Sequence, residues 1–256
     1  MELNRRVAVV TGGGTGIGRA SALLLAHEGA SVIVAGRRRA PLDEVVSLIE
    51  AAGGQAIAHA ADLTEEPEVE TLTRRAVGEF GRLDIAVNAA GAAGVSTLIE
   101  SDEELFVKVL NSNVKTTWLA MKYQIPAIAD AGGGAIVNVS SRAGLAGTAG
   151  GSLYSAAKHA VIGLTKSAAL EAASRHVRIN AVCPGPTRTE QFDTIVRQAM
   201  PGKTPDEAAE MFGAKLPVGR IAQPDEVAAA IVWLAGPAAS FLTGTAIPVD
   251  GGSGAG

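Results

Sequence analysis

Tyr154 and Lys158 stand four residues apart in SLYSAAKHAVIGL, a stretch with the composition of a helix. On a helix, residues at i and i+4 share one face, about one turn apart. A free phenol ionises near pH ~10 and is a poor acid–base group at neutral pH. A cation a few ångströms away favours the phenolate and lowers that value. The pair therefore reads as a tuned proton donor or acceptor for a carbonyl or alcohol oxygen. Ser141 stands thirteen residues before Tyr154, at the end of AIVNVSS. If that run is a strand of an open parallel sheet, its carboxyl end is where a ligand crevice forms. Each spacing is common by itself, so its meaning depends on what surrounds it.

A second group of residues could hold a phosphorylated ligand. TGGGTGIG, Thr11 to Gly18, follows an apolar run and opens directly into a helix-period segment. Gly12, Gly16 and Gly18 form a GxxxGxG pattern, with Thr15 and Ile17 between them. Such glycines let the backbone turn tightly and approach a pyrophosphate seated on the helix N-terminus. The Gly-Lys-Ser/Thr ending of a nucleoside triphosphatase loop is missing. In a dinucleotide fold an acidic residue about 20 positions on usually binds the adenosine ribose hydroxyls. Here SVIVAG ends on Gly36, and Arg37, Arg38 and Arg39 follow. No carboxylate repels a 2′-phosphate at that place, and a guanidinium grips phosphate as a bidentate fork. The expected cofactor is NADP, with Arg37 as the main phosphate partner, Arg38 in support and Arg39 solvated. NAD stays open, because Thr15 is neutral where a second basic residue could reach the phosphate.

These groups need a scaffold, and the hydrophobic pattern supplies one. VAVVT (7–11), SVIVAG (31–36), QAIAHA (55–60), LDIAVN (83–88), AIVNVS (135–140), VRINAVC (177–183) and TAIPVD (245–250) read as strands. The first of them are continuously apolar, which suits strands covered on both faces. Between them run helical segments at 17–28, 41–52, 66–80, 102–129, 152–173 and 224–235. Strand–helix alternation predicts right-handed crossovers and an α/β, doubly wound, Rossmann-like sheet of about seven parallel strands. No linker divides the chain, so residues 1–256 are expected to form one domain. The stretch 186–216 is irregular, with Pro186, Pro201, Gly202, Pro205 and Gly213 among short helical pieces. It is expected to form two short helices acting as a substrate lid, with Phe192, Ile195, Met200, Met211 and Phe212 on the inner face; a fixed helical hairpin is the alternative.

Composition narrows the classes. The 256 residues carry 22 Lys+Arg against 26 Asp+Glu, a net charge of -4, which argues against nucleic acid or a membrane surface as partner. Cys183 is the only cysteine and is read as a small buried hydrophobe. The four histidines have no metal-ligand spacing, and no metal is expected. The N-terminal apolar run is too short for a signal peptide, and no stretch is long enough to span a bilayer, so a cytoplasmic location is expected. His159 is read as facing away from the site, and Trp118 and Trp233 as helix-packing residues.

TGGGTGIG, VNAAG (87–91), IVNVSS (136–141), YSAAK (154–158), INAVCPGPTRT (179–189) and FLTGTAIPVDGG (241–252) appear in one order and spacing. Together they resemble the short-chain dehydrogenase/reductase family, from about residue 5 to 252. The resemblance implies an NAD(P)-dependent oxidoreductase with Tyr154 as acid–base residue. Lys158 would lower its pKa and bind the nicotinamide ribose. Ser141 would hydrogen-bond the substrate oxygen, with Ser140 as the less well spaced alternative. Asn113 would hold a water of a proton relay, and Asn111 lies on another helix face. Asp62 and Leu63 would contact the adenine, and Asn88 would brace the central strands beside the cofactor. Ala89 departs from the common Asn-Asn-Ala-Gly form, where a small residue suffices. Pro184, Gly185, Thr187 and Thr189 would hold the nicotinamide carboxamide. The family also implies a homotetramer and a small carbonyl or alcohol substrate. A 3-oxoacyl thioester, a steroid, a sugar or a small ketone all stay open, as does a non-catalytic dinucleotide-binding protein.

Overall fold

The structure, a computed structural model, describes residues 3–255. Seven strands build one parallel sheet: β1 (Val7–Thr11), β2 (Ser31–Gly36), β3 (Ala56–Ala60), β4 (Ile85–Asn88), β5 (Gly134–Val139), β6 (Val177–Pro184) and β7 (Ala246–Val249). Their order is β3-β2-β1-β4-β5-β6-β7. The chain winds outward from β1 in one direction, returns, and winds outward from β4 in the other. The switch point therefore lies between β1 and β4, where an open sheet leaves a crevice at its carboxyl edge.

Alternation along each strand assigns the two faces. Ala8 and Val10 of β1, with Val32 and Val34 of β2, join a core with α1 (Gly16–His27), α2 (Arg39–Ala51) and α9 (Pro224–Ala235). Val7, Val9, Ile33 and Ala35 point the other way, into a core with α3 (Glu66–Phe80), α5 (Thr116–Asp130) and α6 (Ser152–Ala172). Large members such as Leu25, Ile33, Leu72, Leu119 and Ile231 are fully buried. Each contributes about 1.5–3 kcal/mol relative to exposure.

The amino edge of the sheet is tied by ions. Asp84, just before β4, is buried and accepts from Arg6 Nη1 at 2.6 Å, Arg82 Nη2 at 2.6 Å and the Val7 N–H at 3.0 Å. Burial pushes its pKa up, but the hydrogen bonds from Arg82, Arg6 and Val7 and the Arg82 charge outweigh that, and it lies below its usual value.

The helix expected over 102–129 is broken in character. It comprises α4 (Glu103–Leu110), a π-helical turn at Asn111–Lys115, and α5. Side chains there compete for backbone carbonyls: Asn113 Nδ2 donates to Val109 O, Thr116 Oγ1 to Ser112 O, and Thr117 Oγ1 to Asn113 O. These bonds offer the carbonyls an alternative to regular α pairing. Trp118 and Trp233, read as helix-packing residues, are each nearly half exposed.

Two short helices follow β6, α7 (Glu190–Ala199) and α8 (Pro205–Gly213). Thr204 closes a capping box with Glu207 ahead of Pro205. The pair has its own small core of Phe192, Val196, Ala208 and Ile221, with Phe192 and Phe212 edge to face at 5.8 Å. Among the described residues no helix is long and apolar enough to cross a membrane.

Candidate active site

The glycine loop joins β1 to α1 at the switch point. A Cβ on Gly18 would lie 2.2 Å from the Gly12 carbonyl oxygen, so the first turn of α1 can pack onto the loop only with glycine there. Gly12 has φ +67°, in the left-handed region that glycine adopts freely. Two cavities open on either side of this loop, and Gly12, Thr15, Ala90 and Gly91 border both.

The outer cavity, about 650 Å³, is bordered by Gly36, Arg37, Arg38, Asp62 and Leu63 at the carboxyl ends of β2 and β3. Asp62 Oδ1 accepts from the Thr64 N–H at 3.0 Å and the Thr64 hydroxyl at 2.8 Å. Those bonds, with the charges of Arg37 and Lys115, hold its pKa below the usual value. The three arginines differ. Arg37 is exposed and makes no hydrogen bond or ion pair among the described residues. Arg38 reaches Glu190 at the start of α7, 3.3 Å away. Arg39 begins α2 and pairs with Asp43 one turn on, at 2.7 Å.

The inner cavity, about 420 Å³, is bordered by Gly16, Ile17, Gly18, Asn113, Ser141, Tyr154, Lys158, Pro184, Gly185, Thr187 and Thr189. Ser140 and Ser141 follow the end of β5 at Val139, and α6 carries Tyr154 and Lys158 across from them. Lys158 Nζ donates to the Val139 carbonyl at 3.0 Å and lies 5.5 Å from the Tyr154 ring centre. Burial lowers the Lys158 pKa to about 8, with the neighbouring Cys183 acting the other way. Burial also pushes the Tyr154 phenol above its usual value, opposed by a hydrogen bond from Ser141. The downward shift expected from Lys158 is therefore not found in this arrangement, in which the ammonium is engaged with a backbone carbonyl. Asn113 is buried; its Nδ2 donates to Ala92 O and Val109 O, while its Oδ1 has no partner. A Cβ on Gly91 would lie 2.6 Å from that oxygen and 3.4 Å from Lys158 Nζ, so only glycine fits where these two polar groups close on the backbone.

One assigned residue stands outside both cavities, and others have structural partners as well. Asn88 borders neither cavity: its Nδ2 donates to Gln124 Oε1 at 3.0 Å and Asn138 Oδ1 at 2.9 Å, bracing β4 to β5 and α5. Thr189 Oγ1 caps α7 by accepting from the Phe192 N–H at 3.2 Å. Asn111 borders the outer cavity and Asn113 the inner one. Of the apolar residues expected on the α7–α8 inner face, Phe192, Ile195 and Phe212 border the cavity; Met200 joins the small core, and Met211 is 42% exposed. His159 faces out and Cys183 is fully buried. Sequence reading missed Arg142 and the Arg38–Glu190 contact. Arg142 stands next to Ser141, a signal that was available; Arg38 and Glu190 are far apart in the chain and gave none.

The residues present fit a dinucleotide. Two cavities meet at a helix N-terminus, one with a free guanidinium at its far end, the other with an unpartnered buried amide oxygen and a lysine.

Comparison with known proteins agrees. Residues 12–254 match the family described as enoyl-(acyl carrier protein) reductase. The chain is 43% identical over 254 residues to a cyclohexanol dehydrogenase of Acinetobacter sp. strain SE19, covering 98% of this chain and 95% of that protein. It is 35% identical over 252 residues to a 3-oxoacyl-(acyl-carrier-protein) reductase of Thermotoga maritima, covering 98% and 99%. The crystal structure of an actinorhodin polyketide ketoreductase with NADPH superposes with a TM-score of 0.92 at 34% identity, over 97% of both chains. On its parallel sheet, its motifs and these likenesses, the chain belongs to the short-chain dehydrogenase/reductase family.

Proposed function

We propose that this protein is an NADP(H)-preferring oxidoreductase that moves a hydride between nicotinamide and a carbonyl or secondary alcohol. The observation that carries this reading is the continuity of the two cavities. The Ser141–Tyr154–Lys158 wall lies at one end, and the unpaired Arg37 at the other.

The bound nicotinamide would supply or accept the hydride. Arg37 would grip the 2′-phosphate, Asp62 and Leu63 would border the adenine, and the loop from Gly12 to Gly18 would seat the pyrophosphate. Pro184, Gly185, Thr187 and Thr189 would hold the carboxamide end. Thr189 can still donate its hydroxyl proton while its oxygen caps α7. Ser141 Oγ and Tyr154 Oη would orient the substrate oxygen. In reduction Tyr154 would donate its proton to that oxygen; in oxidation it would take one back. Lys158, across from the phenol, would favour the phenolate once its ammonium turns from Val139 O. Asn113 Oδ1, buried and without a partner, would accept from a water of the proton route.

The substrate is a ketone or alcohol of moderate size. Relatives named for cyclohexanol, for a 3-oxoacyl thioester and for a polyketide share the fold. The apolar Phe192, Ile195 and Phe212 suit a hydrocarbon body. Residues 186–216 would close over it as a lid on a single folded unit, the enzyme working in the cytoplasm. Exposed Ile99, Leu170 and Phe241, at 94%, 83% and 101%, suit burial between copies of a homotetramer.

The test is oxidation of NADPH and of NADH against a panel of cyclic ketones and a 3-oxoacyl thioester. Turnover with NADPH favoured is expected. Preference for NADH would reject the phosphate assignment, and no turnover with either would favour a non-catalytic dinucleotide-binding protein.

A further inference from the structure

Ser141 is followed at once by Arg142, the first residue of a short 3₁₀ turn, Arg142–Gly144. The turn is firmly held. Ser141 Oγ accepts from the Ala143 N–H at 3.1 Å, and Ser141 O from the Gly144 N–H at 2.8 Å. The Arg142 carbonyl accepts from Leu145 at 2.9 Å and Ala146 at 3.1 Å. One residue earlier, the Ser140 hydroxyl donates to Lys158 O at 2.9 Å, fixing the start of the turn to α6.

Arg142 borders the same inner cavity as Ser141, Tyr154 and Lys158. Its guanidinium makes no hydrogen bond or ion pair among the described residues. Of the other charged groups of that wall, Lys158 Nζ donates to Val139 O and Glu190 pairs with Arg38. Just beyond it, Arg188 is shared between Asp193 at 3.4 Å and Asp206 at 2.7 Å. Arg142 is thus a cation on a rigid support, next to the serine of the reacting centre, on the border of that cavity and without a carboxylate partner among the described residues.

We propose that Arg142 binds a carboxylate carried by the substrate, so that this enzyme acts on keto or hydroxy acids with an apolar body. The proposal rests on the assignment of Ser141 and Tyr154 as the reacting centre. A guanidinium offers a carboxylate two parallel N–H bonds, a geometry that neutral groups do not reproduce. Ser141 and Arg142 border one cavity, so one small molecule can reach both. Its carbonyl oxygen sits at Ser141 and Tyr154, its carboxylate at Arg142, and its hydrocarbon frame against Phe192 and Ile195.

The probes are 4-oxocyclohexanecarboxylate and its methyl ester, and the readout is the ratio of their kcat/KM values. The wild type is expected to favour the acid by about tenfold or more, the scale of a charge-assisted pair. Arg142→Met should lower that ratio by about the same factor, and Arg142→Lys should restore part of it. The ratio cancels any general loss of activity or folding. Calorimetry of cyclohexanecarboxylate against cyclohexanecarboxamide, with NADP⁺ present, reads the same preference without turnover. Tighter acid binding that vanishes in Arg142→Met, with neither ketone reduced, supports Arg142 and counts against hydride transfer. A wild-type ratio near one, a ratio unchanged in Arg142→Met, or no binding preference for the acid overturns the proposal.

Discussion

Lys158 is a buried cation, and its charge is the most sensitive quantity in the site. Burial holds its pKa at about 8, so the ammonium is present below that pH and is lost above it. The kcat/KM of reduction, which reports the free enzyme, is expected to fall as pH rises through about 8. Lys158→Met should remove that limb; a flat wild-type profile through this range would contradict the role. At the far end of the crevice, Arg37→Ala should lower the NADPH-over-NADH preference by about tenfold to a hundredfold, the scale of a hydrogen bond to a charged group. Steady-state kinetics with both cofactors measure it, and an unchanged ratio would reassign the phosphate. Both residues were legible in sequence, Lys158 by its interval from Tyr154 and Arg37 by following Gly36. What spacing could not show is which partner each side chain takes. Arg38, read as a supporting phosphate ligand, borders the outer cavity and also reaches Glu190. Lys158, read as a modifier of Tyr154, donates to Val139 O in this arrangement.

At the scale of elements, the strands followed from their apolar runs, with boundaries shifted by a residue or two. The π-helical turn at Asn111–Lys115 did not, because it arises from side-chain bonds to carbonyls that a helical period does not encode. The helices α7 and α8 were visible from Thr204, Pro205 and the apolar period around Phe192, yet their inner face was misjudged at Met211. Beyond the tie that Arg188 makes to Asp193 and Asp206, their attachment is modest. They share a small core, and the Arg38–Glu190 pair, two-thirds exposed on both sides, contributes little. Residues 190–213 are therefore expected to exchange amide hydrogens faster than β1, β4 and β5, and to slow when NADPH is added. Protection equal to that of the strands and unchanged by NADPH would make them a fixed hairpin.

For the whole molecule, the sheet is anchored at the edge opposite the site, through Asp84. Asp84→Asn leaves Arg6 and Arg82 without their shared carboxylate. It should cost about 3 kcal/mol, the low end for a buried pair, because both guanidiniums reach water. The Asp84 pKa is depressed in the folded state, so its contribution is complete above the usual carboxylate range. It is lost as pH falls through the folded value. Denaturant unfolding from pH 7 down to about 3 should show a steeper acid loss in the wild type than in Asp84→Asn. Parallel curves would contradict the linkage. Nothing in the sequence marked Asp84, since its partners Arg6 and Arg82 come from two different strand entries. The central claim remains proton transfer at Tyr154 in a crevice that binds a nicotinamide dinucleotide. Tyr154→Phe keeps the ring and removes the proton, so NADPH binding and ketone-dependent NADPH oxidation should be measured on the same preparation. Binding should be retained and turnover reduced by about a hundredfold or more. Near-normal turnover in Tyr154→Phe would contradict it.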